Sequence, residues 1–454
     1  THSGTPLSGA PGNVSDGTTE KRITMTNTAL NQNLIDFIQA SPTPFHATAM
    51  LRQLLEKAGY TALDEADRWQ LQAGGRYLVT RNDSSLIAFC LEDNDIADSG
   101  LRMVGAHTDS PCLHIKPEPD LVNQGYYQLG VELYGGVLLY PWFDRDLSIA
   151  GRISYRNRQQ RLGNALIDFN EPVAVIPSLA IHLDRDSALT PTFNAQTHLP
   201  PLLMQMGDQP EVSFRELLRE LARAQHPELN IEAVLDFELS LYDHQPGSLV
   251  GLQQDFITSA RLDNLLSCYI GARALIDSKG KTNRLLVCSD HEEVGSTSSC
   301  GADGTFLKSV LERLCTGPQE LARCINRSWL ISADNAHGIH PNYADRHDAN
   351  HGPLLNQGPV IKINANQRYA SNSETAGLFR LLCEQAGVPV QSFVVRSDMA
   401  CGSTIGPITA STIGVRALDI GVPTFGMHSI RETAGARDTG YLHRALLAFL
   451  AYES

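Results

Sequence analysis

From Leu30 the apolar positions run Leu30, Leu34, Ile35, Phe37 and Ile38, the spacing of one helical face, until Pro42 and Pro44 interrupt it. A second helix is expected over residues 47–58, closed by Gly59. Short apolar runs then predict strands at 77–80, 86–91 and 101–106. Beyond Gly247 the two periodicities alternate. A helix through Leu265, Leu266, Tyr269, Ile270 and Leu275 precedes strand 285–289, helix 306–314 and strands 329–332 and 360–364. Helix 373–386 and strand 392–395 follow. That order implies an α/β fold, with helices flanking a largely buried central sheet.

The middle of the chain reads differently. Short β-like pieces at 126–133, 136–140, 149–155 and 173–176 are punctuated by Gly and Pro. One polar helix at 214–224 leads to a strand at 233–241. The expectation is a β-rich domain, residues 117–246, inserted into an α/β domain made of 25–116 and 247–454. Residues 1–24 are rich in Gly, Ser, Thr and Pro, and are expected to be a disordered or non-native leader before a start at Met25.

Charge and cysteine content narrow the classes. A formal net charge of −14 disfavours nucleic acid or an anionic membrane as the main partner. No apolar run approaches the ~18 residues a membrane span needs. The nine cysteines are scattered and include no C-x-x-C pair. This argues against a disulfide framework or a thiolate zinc knuckle and suits a reducing, cytoplasmic setting.

Five stretches join an apolar element to acids or histidines: GAHTDSP (105–111), SARLDNL (259–265), SDHEEVGS (289–296), SADNAHGIHPNY (332–343) and FGMHSI (425–430). Loops beyond the carboxyl ends of strands are where α/β sheets bind ligands. Convergence would gather His107, Asp109, Asp263, Glu292, Glu293, Asp334 and His428. So many carboxylates cannot all ionise in one pocket without compensation; two dications would supply it, and mixed His and carboxylate donors suit zinc. Each residue also has a plain structural reading. Asp263 could cap a helix, the Glu292–Glu293 pair could be a solvated turn, and Asp334 could hold an Asx turn.

The motifs GAHTDSPCLHIKP, ARLDNL, DHEEVGS, NAHGIHPNY, IKINANQRYAS and GSTIGPI resemble those of the M18 metallopeptidases, the aspartyl aminopeptidases, in the same order from about Leu30 onward. The resemblance implies a dinuclear zinc site, with Mn or Co as other possible metals, in a phosphorylase/hydrolase-like catalytic domain. It also implies a β-rich dimerisation domain, a tetrahedral dodecamer that admits short peptides only, and a preference for an N-terminal Asp or Glu. Carried over by position, Asp263 would bridge the metals, His107 and Asp334 would complete one site, and Glu293 and His428 the other. Asp109 would orient His107, and Glu292 would be the general base. His337, Lys362 and Tyr369 would meet the substrate, and His182 would reach a neighbouring subunit's active site. Two other readings stay open: a related aminopeptidase preferring neutral residues, and a non-enzymatic peptide-binding assembly on the same scaffold.

Overall fold

Seven consecutive buried residues make up each of the strands Ser85–Leu91, Leu101–His107 and Asn283–Ser289. Strands buried on both faces must lie inside a sheet covered on both sides. In the computed structural model of the chain, which describes residues 17–92, 95–183, 185, 192–207 and 212–453, they do. Successive side chains of Ser85–Leu91 part between two cores. Leu86, Ala88 and Cys90 join Leu34, Leu51, Leu265 and Leu446 on one face. Ile87, Phe89 and Leu91 meet Phe306, Val310 and Leu330 on the other.

This mixed sheet has nine strands, in the order Thr61–Leu63, Gly75–Arg81, Ser85–Leu91, Asn283–Ser289, Leu101–His107, Trp329–Ala333, Arg416–Gly421, Val360–Lys362 and Gln391–Phe393. Its centre, from Asn283–Ser289 to Arg416–Gly421, is parallel. Helix Leu262–Asp277 packs on the sheet and is buried nearly all round. Such burial erases the one-sided pattern that a surface helix shows.

A second sheet is antiparallel throughout: Leu162–Asp168, Leu147–Asn157, Ile231–Asp243, Cys112–Asn123, Tyr126–Tyr134 and Leu202–Gln205. It has a core of its own, closed by Phe214, Leu218 and Ala222 of helix Phe214–Gln225. Its strand Cys112–Asn123 crosses the boundary read at 116/117. A third sheet of five short strands was not foreseen: Ser248–Val250, Phe256–Ser259, Glu432–Gly435, Pro423–Phe425 and Ala336–His337.

Three sequence expectations need correction. Residues 136–140 form no strand; a 3-10 turn, Tyr140–Trp142, ends that stretch, where Pro141 lacks the N–H a sheet ladder needs. Residues 173–176 supply only isolated bridges, Ala174 to Leu147 and Val175 to Leu202. The first helix begins at Gly17, so residues 17–24 of the segment read as a leader are helical, while residues 1–16 lie outside the described residues.

Candidate metal centre

The parallel strands set three acidic loops side by side. Ser289 pairs in register with His107, and Gly105 with Ser332. The loops bearing His107, the Glu292–Glu293 pair and Asp334 therefore leave the sheet at one edge. Asp263 enters from the start of helix Leu262–Asp277, where Asp263 and Asn264 leave helical angles and the peptide between them is cis. Ser110 Oγ donates to the Asp263 carbonyl at 2.7 Å, and Asn264 Nδ2 donates to the Ala333 carbonyl at 2.8 Å. Both bonds seat that turn between the strand ends. His428 arrives on the loop joining two strands of the third sheet, Pro423–Phe425 and Glu432–Gly435.

The two oxygens of Asp263 face different donor sets. Oδ1 lies 3.4 Å from His107 Nε2, which lies 3.4 Å from Asp334 Oδ1. Oδ2 lies 3.6 Å from His428 Nε2, which lies 3.3 Å from Glu293 Oε2. These separations exceed good hydrogen bonds. Donors held at about 2.0–2.1 Å by a tetrahedral ion stand about 3.4 Å apart, which matches. Asp263 Oδ1 and Glu293 Oε1 are buried with no hydrogen-bond partner. Orphaned carboxylate oxygens of this kind call for a cation, so the residues fit zinc on both sides of Asp263.

The surrounding residues aim these donors. His107 Nδ1 bonds the Asp109 carbonyl at 3.0 Å, and His428 Nδ1 bonds the Gly136 carbonyl at 3.0 Å, leaving each Nε2 for the centre. The buried Asp109 carboxylate also accepts the N–H groups of Glu292 at 3.1 Å and Glu293 at 3.0 Å, and the Tyr134 hydroxyl at 2.7 Å. Asp109 thus fixes the glutamate turn as well as the imidazole.

Charge in the cluster is unbalanced. Burial, then the Asp334 and Asp263 charges, push Glu292 up to about 8 against the pull of His107. Burial and Asp263 likewise raise Glu293. Burial also opposes the Asp334 charge, yet the Lys362 ammonium and His107 hold that carboxyl well below its usual range. A cation among these groups would work against each upward shift.

A family profile described as Aminopeptidase I zinc metalloprotease (M18) matches residues 37–450. The chain belongs to the M18 family. A probable M18 family aminopeptidase 2 of Ectopseudomonas mendocina (strain ymp) is 62% identical over 420 residues, 92% of this chain and 97% of that relative. Ape4, solved by cryo-EM in complex with Nbr1, is 38% identical, with a TM-score of 0.91 over 94% of this chain and 86% of its own. The S. cerevisiae mApe1 dodecamer is 30% identical, with a TM-score of 0.79 over 92% of this chain and 95% of its own. The fold is that of the M18 aminopeptidases, and the family is one of zinc-dependent aminopeptidases.

Lys362, Tyr369 and His337 lie beside the M18 centre. Lys362 is buried and donates to Asp334 Oδ2 at 3.0 Å and the Asn335 carbonyl at 2.9 Å. Its ammonium also lies 5.3 Å from the Tyr369 ring centroid. His337 is exposed and lies edge-on to Phe393 at 5.6 Å; crowding by protein atoms, then the Lys362 charge, lower its pKa to about 4. His182 stands apart, exposed on a turn, with no bond to the cluster among the described residues. No helix among the described residues is long and apolar enough to cross a membrane.

Sequence reasoning missed Glu432. It is 2% exposed, and its carboxylate accepts the N–H of Asp263 at 2.9 Å and of His428 at 3.0 Å. One buried acid thereby fixes the backbone of two residues of the cluster, Asp263 and His428. The available signal was its place four residues after His428 in MHSIRE.

Proposed function

We propose that the chain is a two-zinc aminopeptidase that removes an N-terminal Asp or Glu from short peptides. The observation that carries this reading is the Asp263 carboxylate, whose two oxygens face two separate His and carboxylate sets. In this reading Asp263 is shared, His107 and Asp334 hold one ion, and Glu293 and His428 hold the other. Mn2+ and Co2+ suit the same donors. When bound, the ions supply Lewis acidity that activates the attacking water and polarises the peptide carbonyl.

Glu292 does the proton work. It takes the water's proton and returns it to the departing amine, a role supported by its position 3.9 Å from His107 Nε2 at the cluster's edge. Asp109 holds Glu292 and Glu293 by their backbone N–H groups, which separates proton transfer from metal holding in two adjacent residues. His337, neutral at pH 7, donates to the developing oxyanion. Lys362 and Tyr369 receive the substrate's acidic side chain.

One observation favours a second reading, a preference for neutral residues. The Lys362 charge already faces Asp334, which leaves less of it for a substrate carboxylate. Turnover of peptides with N-terminal Asp, Glu or Leu, with metal content measured on the same sample, separates the two. Equal use of Asp and Leu refutes acidic selectivity. One ion per chain at full activity refutes the shared site.

The assembly proposed is a dodecamer of dimers, with residues 117–246 pairing subunits and His182 completing a neighbour's pocket. Two observations support it: the mApe1 relative is a dodecamer, and Leu179, Ile181 and Leu183 around His182 are 64%, 59% and 75% exposed. The nine free cysteines suit a reducing, cytoplasmic setting.

A further inference from the structure

The loop that supplies the two glutamates carries a second cluster on its other side. Asp290, His291 and Cys300 bring a carboxylate oxygen, an imidazole nitrogen and a thiol sulfur within 4.8 Å of one another. Asp290 Oδ2 lies 3.5 Å from His291 Nε2, and Cys300 Sγ lies 3.6 Å from His291 Nδ1. Asp290 is 3% exposed, and among the described residues its only cationic neighbour within 4.0 Å is that imidazole. A buried carboxylate so poorly matched in charge is costly to keep ionised.

The scaffold around the trio is built. Ser85 Oγ accepts the Asp290 N–H at 2.9 Å and donates to the Cys300 carbonyl at 2.9 Å, tying both ends of the loop to strand Ser85–Leu91. Gly301 N donates to Ser298 Oγ at 2.9 Å, and that hydroxyl lies 2.8 Å from His291 Nδ1. The His291 side chain is 32% exposed, which gives an ion a way in, whereas Cys300 is 2% exposed.

We propose that Asp290, His291 and Cys300 form a separate site for a thiophilic divalent cation such as Zn2+, occupied when that metal is in excess. Carboxylate, imidazole and thiolate are all zinc ligands, and three protein donors leave a fourth position for solvent. Donors of this kind stand about 3.4–3.6 Å apart around one ion; the thiol and the carboxylate now flank opposite nitrogens of His291, so the ring turns to present one nitrogen to both. Binding displaces the thiol proton to solvent and redirects the His291 ring, one residue before Glu292. Occupancy therefore slows turnover. That effect on rate rests on Glu292 as the base; the site itself does not.

The experiment adds Co2+ alone to holoenzyme that already carries its metals. Expected is one further ion per chain with a near-ultraviolet thiolate-to-cobalt charge-transfer band, lost in Cys300→Ser and weakened in Asp290→Asn. In Asp263→Ala the band persists, so a failure of the shared catalytic site is read apart from a failure here. Excess Zn2+ should slow the parent severalfold and leave Cys300→Ser unaffected. Saturation without a thiolate band, or a band unchanged in Cys300→Ser, overturns the assignment.

Discussion

Replacing Glu432 by Gln tests whether one buried carboxylate sets the metal affinity of the centre. The carboxylate accepts on both oxygens, from Asp263 N at 2.9 Å and His428 N at 3.0 Å. An amide of the same shape accepts on one side only. Its NH2 group would face a backbone N–H on the other side, leaving that donor buried and unpaired. A hydrogen bond to a charged acceptor contributes about 1.5–3 kcal/mol, which corresponds to roughly 10- to 150-fold in an equilibrium constant. Loss of outer-shell partners typically weakens metal binding by roughly 10- to 100-fold, a range that overlaps. Zinc affinity of the metal-free variant, measured by competition with a chromophoric chelator, should fall within these limits for the ion proposed at His428 and Glu293. Thermal unfolding of the metal-free protein serves as the control for fold. Affinity within about threefold of the parent, less than 1 kcal/mol, would refute the argument.

Four further outcomes are expected. Glu292→Gln keeps its zinc and loses about two to four orders of magnitude in rate, whereas Glu293→Gln loses zinc; identical behaviour would cancel the division of roles. Lys362→Met retains zinc and slows Asp substrates at least about tenfold more than Leu substrates; zinc depletion with an equal loss would assign this lysine to Asp334 alone. Zinc uptake at pH 7 releases protons, because Glu292, pushed up to about 8, is mostly protonated in the metal-free chain and must ionise as a cation arrives. Calorimetric heats that do not change with the ionisation enthalpy of the buffer would contradict this. Mixing His182→Ala with Glu292→Gln chains restores some activity in hybrid oligomers, and hybrids shown by mass spectrometry yet inactive would exclude a shared pocket.

Most of the centre was legible because its residues follow apolar strand runs directly. His107, Asp334 and the Glu292–Glu293 pair each sit at or just beyond the end of a buried strand, where polar side chains have no packing role. Other parts were hidden by the physics that makes them unusual. Arg416–Gly421 lies in the parallel centre of the sheet but contains Asp419, fully buried and accepting from Thr404 Oγ1 and the Ala370 N–H. A charged residue inside a short run does not read as a core strand. The third sheet, of two- to four-residue strands, offers too few positions for any periodicity. Lys362, read as a substrate contact at a strand end, is 3% exposed and pairs with Asp334, which sits just past the end of another strand of the same sheet.

The hairpin end Tyr134-Gly135-Gly136 has a bearing on how this molecule can be dissected. Tyr134 holds Asp109 on one side of the cluster, and the Gly136 carbonyl holds the His428 ring on the other. Both belong to the segment that looks like a removable insertion. Excising residues 117–246 and splicing the ends would take away the strut behind each histidine's surroundings while leaving every candidate metal ligand in the sequence. The α/β portion is therefore not a minimal enzyme. A trimmed chain, however well it folded, would carry a loosened His428 and an Asp109 stripped of one donor, and strain applied to the insertion by a neighbour would be felt first at those two residues.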